Sequence, residues 1–309
     1  MATKQTNAKP LKKRKFGKDS GRQWAYLTML APFTLAFTVF IVVPIISSIV
    51  LSFTNFNMVQ MPSFVGFDNY WRIFTDDEVF MIALKNTLIL AIVVGPCGYI
   101  LSFVVAWFIN ELGRTARTVI TFMVYSPSLA GNIYFIWLYI FSSDRRGFLN
   151  NLLLQLGILR DPITWLTDAK YNFTAVIIVS LWMSFGVGFL SFISALQALD
   201  RSYYEAAALD GLKNRWQELY YVTFPQIGPQ LMFGAVTTIA GAFGTGAVSA
   251  SLTGNPSTQY STHTIILHMT DYGTTRYEMG YASALAVVLF AMMIATWLLV
   301  SKALKRFVE

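Results

Sequence analysis

Six stretches of the chain are apolar over lengths that match a bilayer core, and polar segments separate them. A helix that crosses a membrane needs about 20 mostly apolar residues. The stretches cover about 24–53, 86–110, 118–141, 173–196, 231–252 and 281–303. The first is longer than a span requires and holds Pro32 and Pro44. The fifth is rich in small residues, among them Gly234, Gly241, Gly244 and Gly246, and the last three are read as sites of close helix packing. The pattern predicts an all-α polytopic membrane protein with six transmembrane helices. Residues 1–23 form a basic tail, and residues 24–309 form the spanning domain. No repeat of short period is visible.

Composition supports the same class. Hydrophobic residues make up 55% of the 309 and charged residues only 13%, where a soluble domain carries about 25% charge. Aromatics reach 16%, which suits belts at the two interfaces. The formal charge is +7, and its placement decides its meaning. Lys4, Lys9, Lys12, Lys13, Arg14, Lys15, Lys18 and Arg22 all precede the first apolar run. That run is too long for the core of a secretory signal and has no small-residue cleavage site, so it is read as a retained span. The tail either lies along anionic headgroups or serves only to set topology. Six spans put both termini on one side. That side carries 16 of the lysines and arginines, counting Arg114, Arg117, Arg201, Lys213 and Arg215, and the other side carries 7. The positive-inside rule therefore predicts that both termini are cytoplasmic. No nucleic-acid partner is expected.

Residues 197–230 form the longest inner loop. Tyr203 to Leu209 are good helix formers, and Gly211 suits a chain reversal. Leu212, Trp216, Leu219 and Tyr220 then recur at helical spacing and predict a second, amphipathic helix that Pro225 ends. Such a hairpin suits a groove in another protein or a place on the membrane surface, and the pattern alone does not separate the two. Polar groups at membrane depth are costly and usually functional. Candidates for a substrate path are Asn132, Tyr134, Trp182, Ser184, Thr238 and Thr245. Each hydroxyl has the alternative of bonding its own helix, and Trp182 has the alternative of simple packing. No charged residue lies deep in a span, which suits a neutral, hydroxyl-rich substrate and disfavours a proton relay. His263 and His268 are five residues apart, not the four of a metal pair on one helix face, and Cys97 is the only cysteine. No metal site and no catalytic set is expected. No phosphate-binding Gly-x-x-x-x-Gly-Lys-Ser/Thr occurs.

The inner loop resembles the EAA loop of binding-protein-dependent ABC importer permeases. Glu205, Ala206, Ala207, Asp210, Gly211 and Pro225 match its pattern. Phe224 stands where the family has leucine, and the stretch from Gly211 to Pro225 is one residue longer than the common form. Phe64-Val65-Gly66-Phe67-Asp68-Asn69-Tyr70, Asn86-Thr87, Leu252-Thr253-Gly254-Asn255-Pro256 and Gly280-Tyr281-Ala282-Ser283-Ala284 are similar to segments of the carbohydrate uptake group, the relatives of maltose and glycerol-phosphate permeases. The resemblance implies the type I ABC importer permease fold in a bacterial inner membrane, with span one wrapping a partner. It implies a sugar or oligosaccharide as cargo and an extracellular solute-binding protein as donor. It also implies a second, homologous permease in a heterodimer and two cytoplasmic ABC ATPase subunits. ATP and magnesium would then belong to those subunits, and this chain would hold no cofactor and catalyse nothing. Glu205, Ala206, Ala207, Asp210, Gly211, Trp216 and Pro225 would form the element that couples to the ATPase. The rival readings are a secondary carrier or channel driven by an ion gradient, which needs ionisable groups at depth or an inverted repeat, and a membrane-embedded enzyme.

Overall fold

The computed structural model describes residues 20–129 and 133–308. Most of the tail and Asn132 therefore lie outside the described residues. Helices are the regular elements throughout, apart from one bridge between Thr54 and Phe64. The chain forms two compact units, Met1–Ser47 and Ser48–Glu309.

The first unit is built on α1 (Ser20–Phe37), a π-turn at Thr38–Val42 and the start of α2 (Val43–Leu51). The π-turn immediately precedes Pro44. Proline has no N–H and its ring crowds the carbonyl four residues back, and the wider turn relieves that crowding. Residues Tyr26–Leu51 form one candidate span of high hydropathy in which no residue is buried. A helix that is apolar all round needs lipid or another chain on every side.

The second unit starts with α3 (Asp68–Thr75) and the long α4 (Glu78–Asn110). There follow α5 (Arg114–Leu129), α6 (Tyr134–Ile140), α7 (Phe148–Gln155), α8 (Asn172–Met183) and α9 (Val187–Ala198). Between α9 and the next long helix lie α10 (Arg201–Leu209), α11 (Arg215–Glu218) and α12 (Phe224–Gln226). The last part comprises α13 (Gly228–Phe243), α14 (Gly246–Thr253), α15 (Ile265–Thr270) and α16 (Met279–Val308). Among the described residues, four helical segments are long and apolar enough to cross a membrane, and two bent pairs bring the number to six if each pair is one span. The six predicted spans are thus all found as helix, but three are not continuous, and the fourth breaks between α8 and α9 at Ser184–Gly186. The third is α5 and α6, 93° apart, and the fifth is α13 and α14, bent by 42° at Gly244 and Thr245.

Helices α4, α9 and α13 form the centre. Phe103, Phe189, Phe192, Ile193 and Leu231 pack between them, with Phe192 edge-on to Tyr99 and Phe103. Close approach depends on glycine. A Cβ on Gly188 would lie 3.3 Å from the Cα of Gly234, and one on Gly98 would lie 2.8 Å from Ser184.

The segments that carry the family resemblance turn out to be staples of the loop ends. Asn69 donates to the carbonyls of Ser52 and Thr54, both at 2.8 Å, and the Tyr70 hydroxyl meets that of Ser52 at 2.7 Å. Asn86 donates to the carbonyls of Tyr260 and His263, and Thr87 accepts from the Ile265 N–H. Each bond ties the end of a span to a connection that is remote in sequence.

Candidate functional site

The hairpin of α10 and α11 is set by its caps. Asp200 begins α10 by accepting from the Ser202 N–H at 3.0 Å. The helix ends with Gly211 N–H bonded to the Ala208 carbonyl and Leu212 N–H bonded to that of Ala207. This is a Schellman motif, which wants glycine at the left-handed position, and Gly211 has φ +96°. Nothing lies within 4 Å of where a Cβ would stand there, so the demand for glycine is purely conformational. Glu205, Ala206, Asp210, Gly211, Trp216 and Pro225 are exposed and Ala207 is buried. The fold thus gathers the predicted coupling residues on one exposed hairpin.

The second arm departs from its predicted form. Leu212 lies outside any helix, because Asn214 starts α11 by accepting from the Gln217 N–H at 2.8 Å. Pro225 does not end the arm either. A π-turn at Leu219–Thr223 makes room for it, and helix continues to Gln226 before a turn at Ile227. The physics matches that before Pro44.

A cavity of about 280 Å³ lies between α4, α8, α9, α13 and α14. Tyr134, Ser184, Thr238 and Thr245, four of the predicted path residues, line it. It sits where two helices are interrupted, at Ser184–Gly186 and at Gly244–Thr245. Interrupted helices offer backbone groups to a polar ligand while the rest of the span stays satisfied. Ser184 and Thr245 bond their own helix carbonyls at 2.6 and 3.1 Å, so each keeps a lone pair for a guest. Trp182 is not among the residues that line this cavity. Its ring packs edge-on against Trp137 of α6, with centroids 5.4 Å apart. Gly241 and Gly244 are a correction. Both line the cavity, and no neighbouring helix crowds either of them, whereas Gly246 does pack closely, against Ile266.

A polar cluster at the start of α4 escaped the sequence reading. Asp77 accepts from the Phe80 N–H, from the His268 ring at 2.8 Å and from the Tyr281 hydroxyl at 2.6 Å. His268 in turn meets the ring of His263 at 3.2 Å, and all four side chains are almost fully buried. The two histidines are therefore bonded to each other, across the start of α15. No group of three His, Cys, Asp or Glu side chains among the described residues is arranged to hold a metal. Desolvation opposes the charge on Asp77, but its bonds from His268, Tyr281 and Phe80 win and hold its pKa well below the usual carboxylate range. Burial first, then the charge of His268, pushes His263 down to about 4, against the pull of Asp271 and Asp77.

Between about 6.5 and 4 the unfolded His263 takes a proton and the folded one does not. Stability should then fall as pH drops through that window. Asp77 adds a loss only below about 4, the unfolded carboxylate value. Melting of the purified protein in detergent, followed from pH 7.5 to 4, should show this decline, and His263→Gln should flatten it. An equally steep decline in His263→Gln would remove His263 as its source.

The comparisons with known proteins agree on one family. Residues 96–309 match the model of the binding-protein-dependent transport system inner membrane component. The chain is 30% identical over 282 residues to the probable ABC transporter permease protein YesP of Bacillus subtilis, covering 90% of this chain and 88% of that one. It is 33% identical over 215 residues to the lactose transport system permease protein LacF of Rhizobium radiobacter, covering 69% and 70%. A crystal structure of a bacterial ABC transporter that imports the acidic polysaccharide alginate superposes with a TM-score of 0.77 at 24% identity, covering 94% of this chain and 99% of that one. With the family model matched over residues 96–309 and a 30% identical relative matched along most of both chains, the chain belongs to the inner-membrane permease family of binding-protein-dependent ABC transport systems.

Proposed function

We propose that the chain is the permease subunit of a bacterial sugar importer and that the cavity at the broken spans is its sugar path. The observation that carries this reading is the grouping of Tyr134, Ser184, Thr238 and Thr245 around one hollow with no charged side chain in its wall. Hydroxyls and free carbonyls are the partners a neutral sugar needs, and buried polar groups left unmet reject a guest that lacks them. The names of relatives such as LacF and the arabinooligosaccharides permease AraP of Bacillus subtilis support a carbohydrate cargo. An alginate transporter of the same fold was solved with its periplasmic protein bound to a pentasaccharide, which supports a solute-binding donor here.

On this reading α10 docks into a cytoplasmic ATPase, with two such subunits and a second, homologous permease completing the complex. ATP and magnesium bind to the ATPase subunits. Both termini face the cytoplasm, as the charge bias requires. Co-expressed, the chain should purify with these partners, and ATP hydrolysis should rise when sugar-loaded receptor is added. Glu205→Lys should reduce ATPase association while the receptor still binds sugar. Uptake by the purified chain alone in liposomes, driven by an ion gradient, would sink this reading and restore the carrier.

A further inference from the structure

We infer that Arg215 and Trp216 fasten the second arm of the hairpin to the inner end of α4, and that with Glu111 and Trp107 they are the positioning residues through which hairpin movement enters that span. The inference rests on the reading of the hairpin as the ATPase-docking element. Arg215 donates through Nη2 to Glu111 at 3.0 Å and through Nη1 to Glu218 of its own arm at 2.9 Å. The next residue, Trp216, lies against the ring of Trp107 with centroids 5.3 Å apart. Residues 107 and 111 stand one helical turn apart at the end of α4. Two adjacent residues of the arm therefore grip two successive turns of the span. A grip at two points fixes orientation as well as position, which a single contact does not.

The contact continues deeper. The Phe224 ring lies tilted against that of Phe103 with centroids 5.4 Å apart, and Leu219 is buried in the same cluster as Phe103, Ala106 and Ile109. The first arm, by contrast, reaches the second mainly through Tyr204, whose hydroxyl meets that of Thr223 at 3.0 Å. Motion imposed on α10 thus passes to the second arm and from there to α4. The same helix carries Val94 in the cavity wall, some 17 residues from Glu111, or about 25 Å along the axis. An exposed ion pair adds little to stability, and the Arg215 and Glu111 side chains are 63% and 45% exposed. Its value is then in direction rather than in holding the fold.

The test uses the whole reconstituted transporter, with receptor, both permeases and ATPase. Glu111→Arg and Arg215→Glu should each leave assembly, melting temperature and basal ATP hydrolysis unchanged. Each should lower the sugar moved per ATP by about fivefold or more, the lower range of coupling between distinct sites. The double exchange, which restores opposite charges, should recover most of that loss. Trp216→Ala should also lower the sugar moved per ATP, and Trp216→Phe should largely retain it. Unchanged transport per ATP in both single charge variants would overturn the inference, as would a double exchange no better than the singles. Failure of the docking reading would look different: ATPase would stay bound and uptake would stay full in Glu205→Lys, whatever the charge exchange did.

Discussion

Replacing Gly211 with valine is expected to abolish sugar uptake while the receptor still binds sugar. Gly211 has φ +96° and closes the Schellman motif at the end of α10. Holding a non-glycine residue in that region costs about 1–3 kcal/mol, and β-branching worsens it. That strain lowers the ratio of correctly formed to misformed hairpin by about 5–150-fold. No neighbour would be struck, since nothing lies within 4 Å of the new Cβ. The spans should therefore fold and the defect should stay at the inner face. Pull-down of the ATPase with the permease and uptake in vesicles measure it. Gly211→Asn should keep more function, because asparagine tolerates the left-handed region. If valine and asparagine behave alike, or valine retains uptake, the conformational argument fails.

Gly280→Ala should have the largest effect on folding. Its N–H donates to the Phe56 carbonyl at 2.9 Å, so α16 begins pressed against the chain that leaves α2. A Cβ at position 280 would overlap the carbonyl of Thr54 and stand 3.0 Å from the Phe56 nitrogen. Both obstacles are backbone and cannot swing aside as a side chain would. Overpacking of this kind costs about 3 kcal/mol, which corresponds to a fall in melting temperature of roughly 6–12 °C. Gly241→Ala is the control, because its Cβ would meet nothing within 4 Å. Thermal melting of both variants in detergent compares them directly. Equal melting of the two would show that the close approach at Gly280 carries no cost.

Much of the fold was legible in the chain because hydropathy is a local property. An apolar run of about 20 residues can only be buried in lipid or protein, so the six stretches were placed without knowing their neighbours. The hairpin was legible too, since Gly211 and the helix formers before it act within one turn. The bends were harder to see. Gly244 and Thr245 interrupt a run whose hydropathy stays high, and hydropathy does not register a change of axis. Likewise the prolines were visible, but the π-turns that let helix run past Pro44 and Pro225 were not.

What the sequence determined by itself was the all-α membrane class, the location of the spans and the inner hairpin with its positive-φ glycine. Only the tertiary structure decided which polar residues meet. It brought Tyr134 and Thr245 to one hollow and turned Trp182 away to Trp137. It also joined Asp77 to His268 and Tyr281, partners 191 and 204 residues distant, and Arg215 to Glu111. The reason is that a span's hydropathy fixes its depth but not its rotation. Rotation is settled by packing against other helices, and those contacts lie between residues that no local pattern connects.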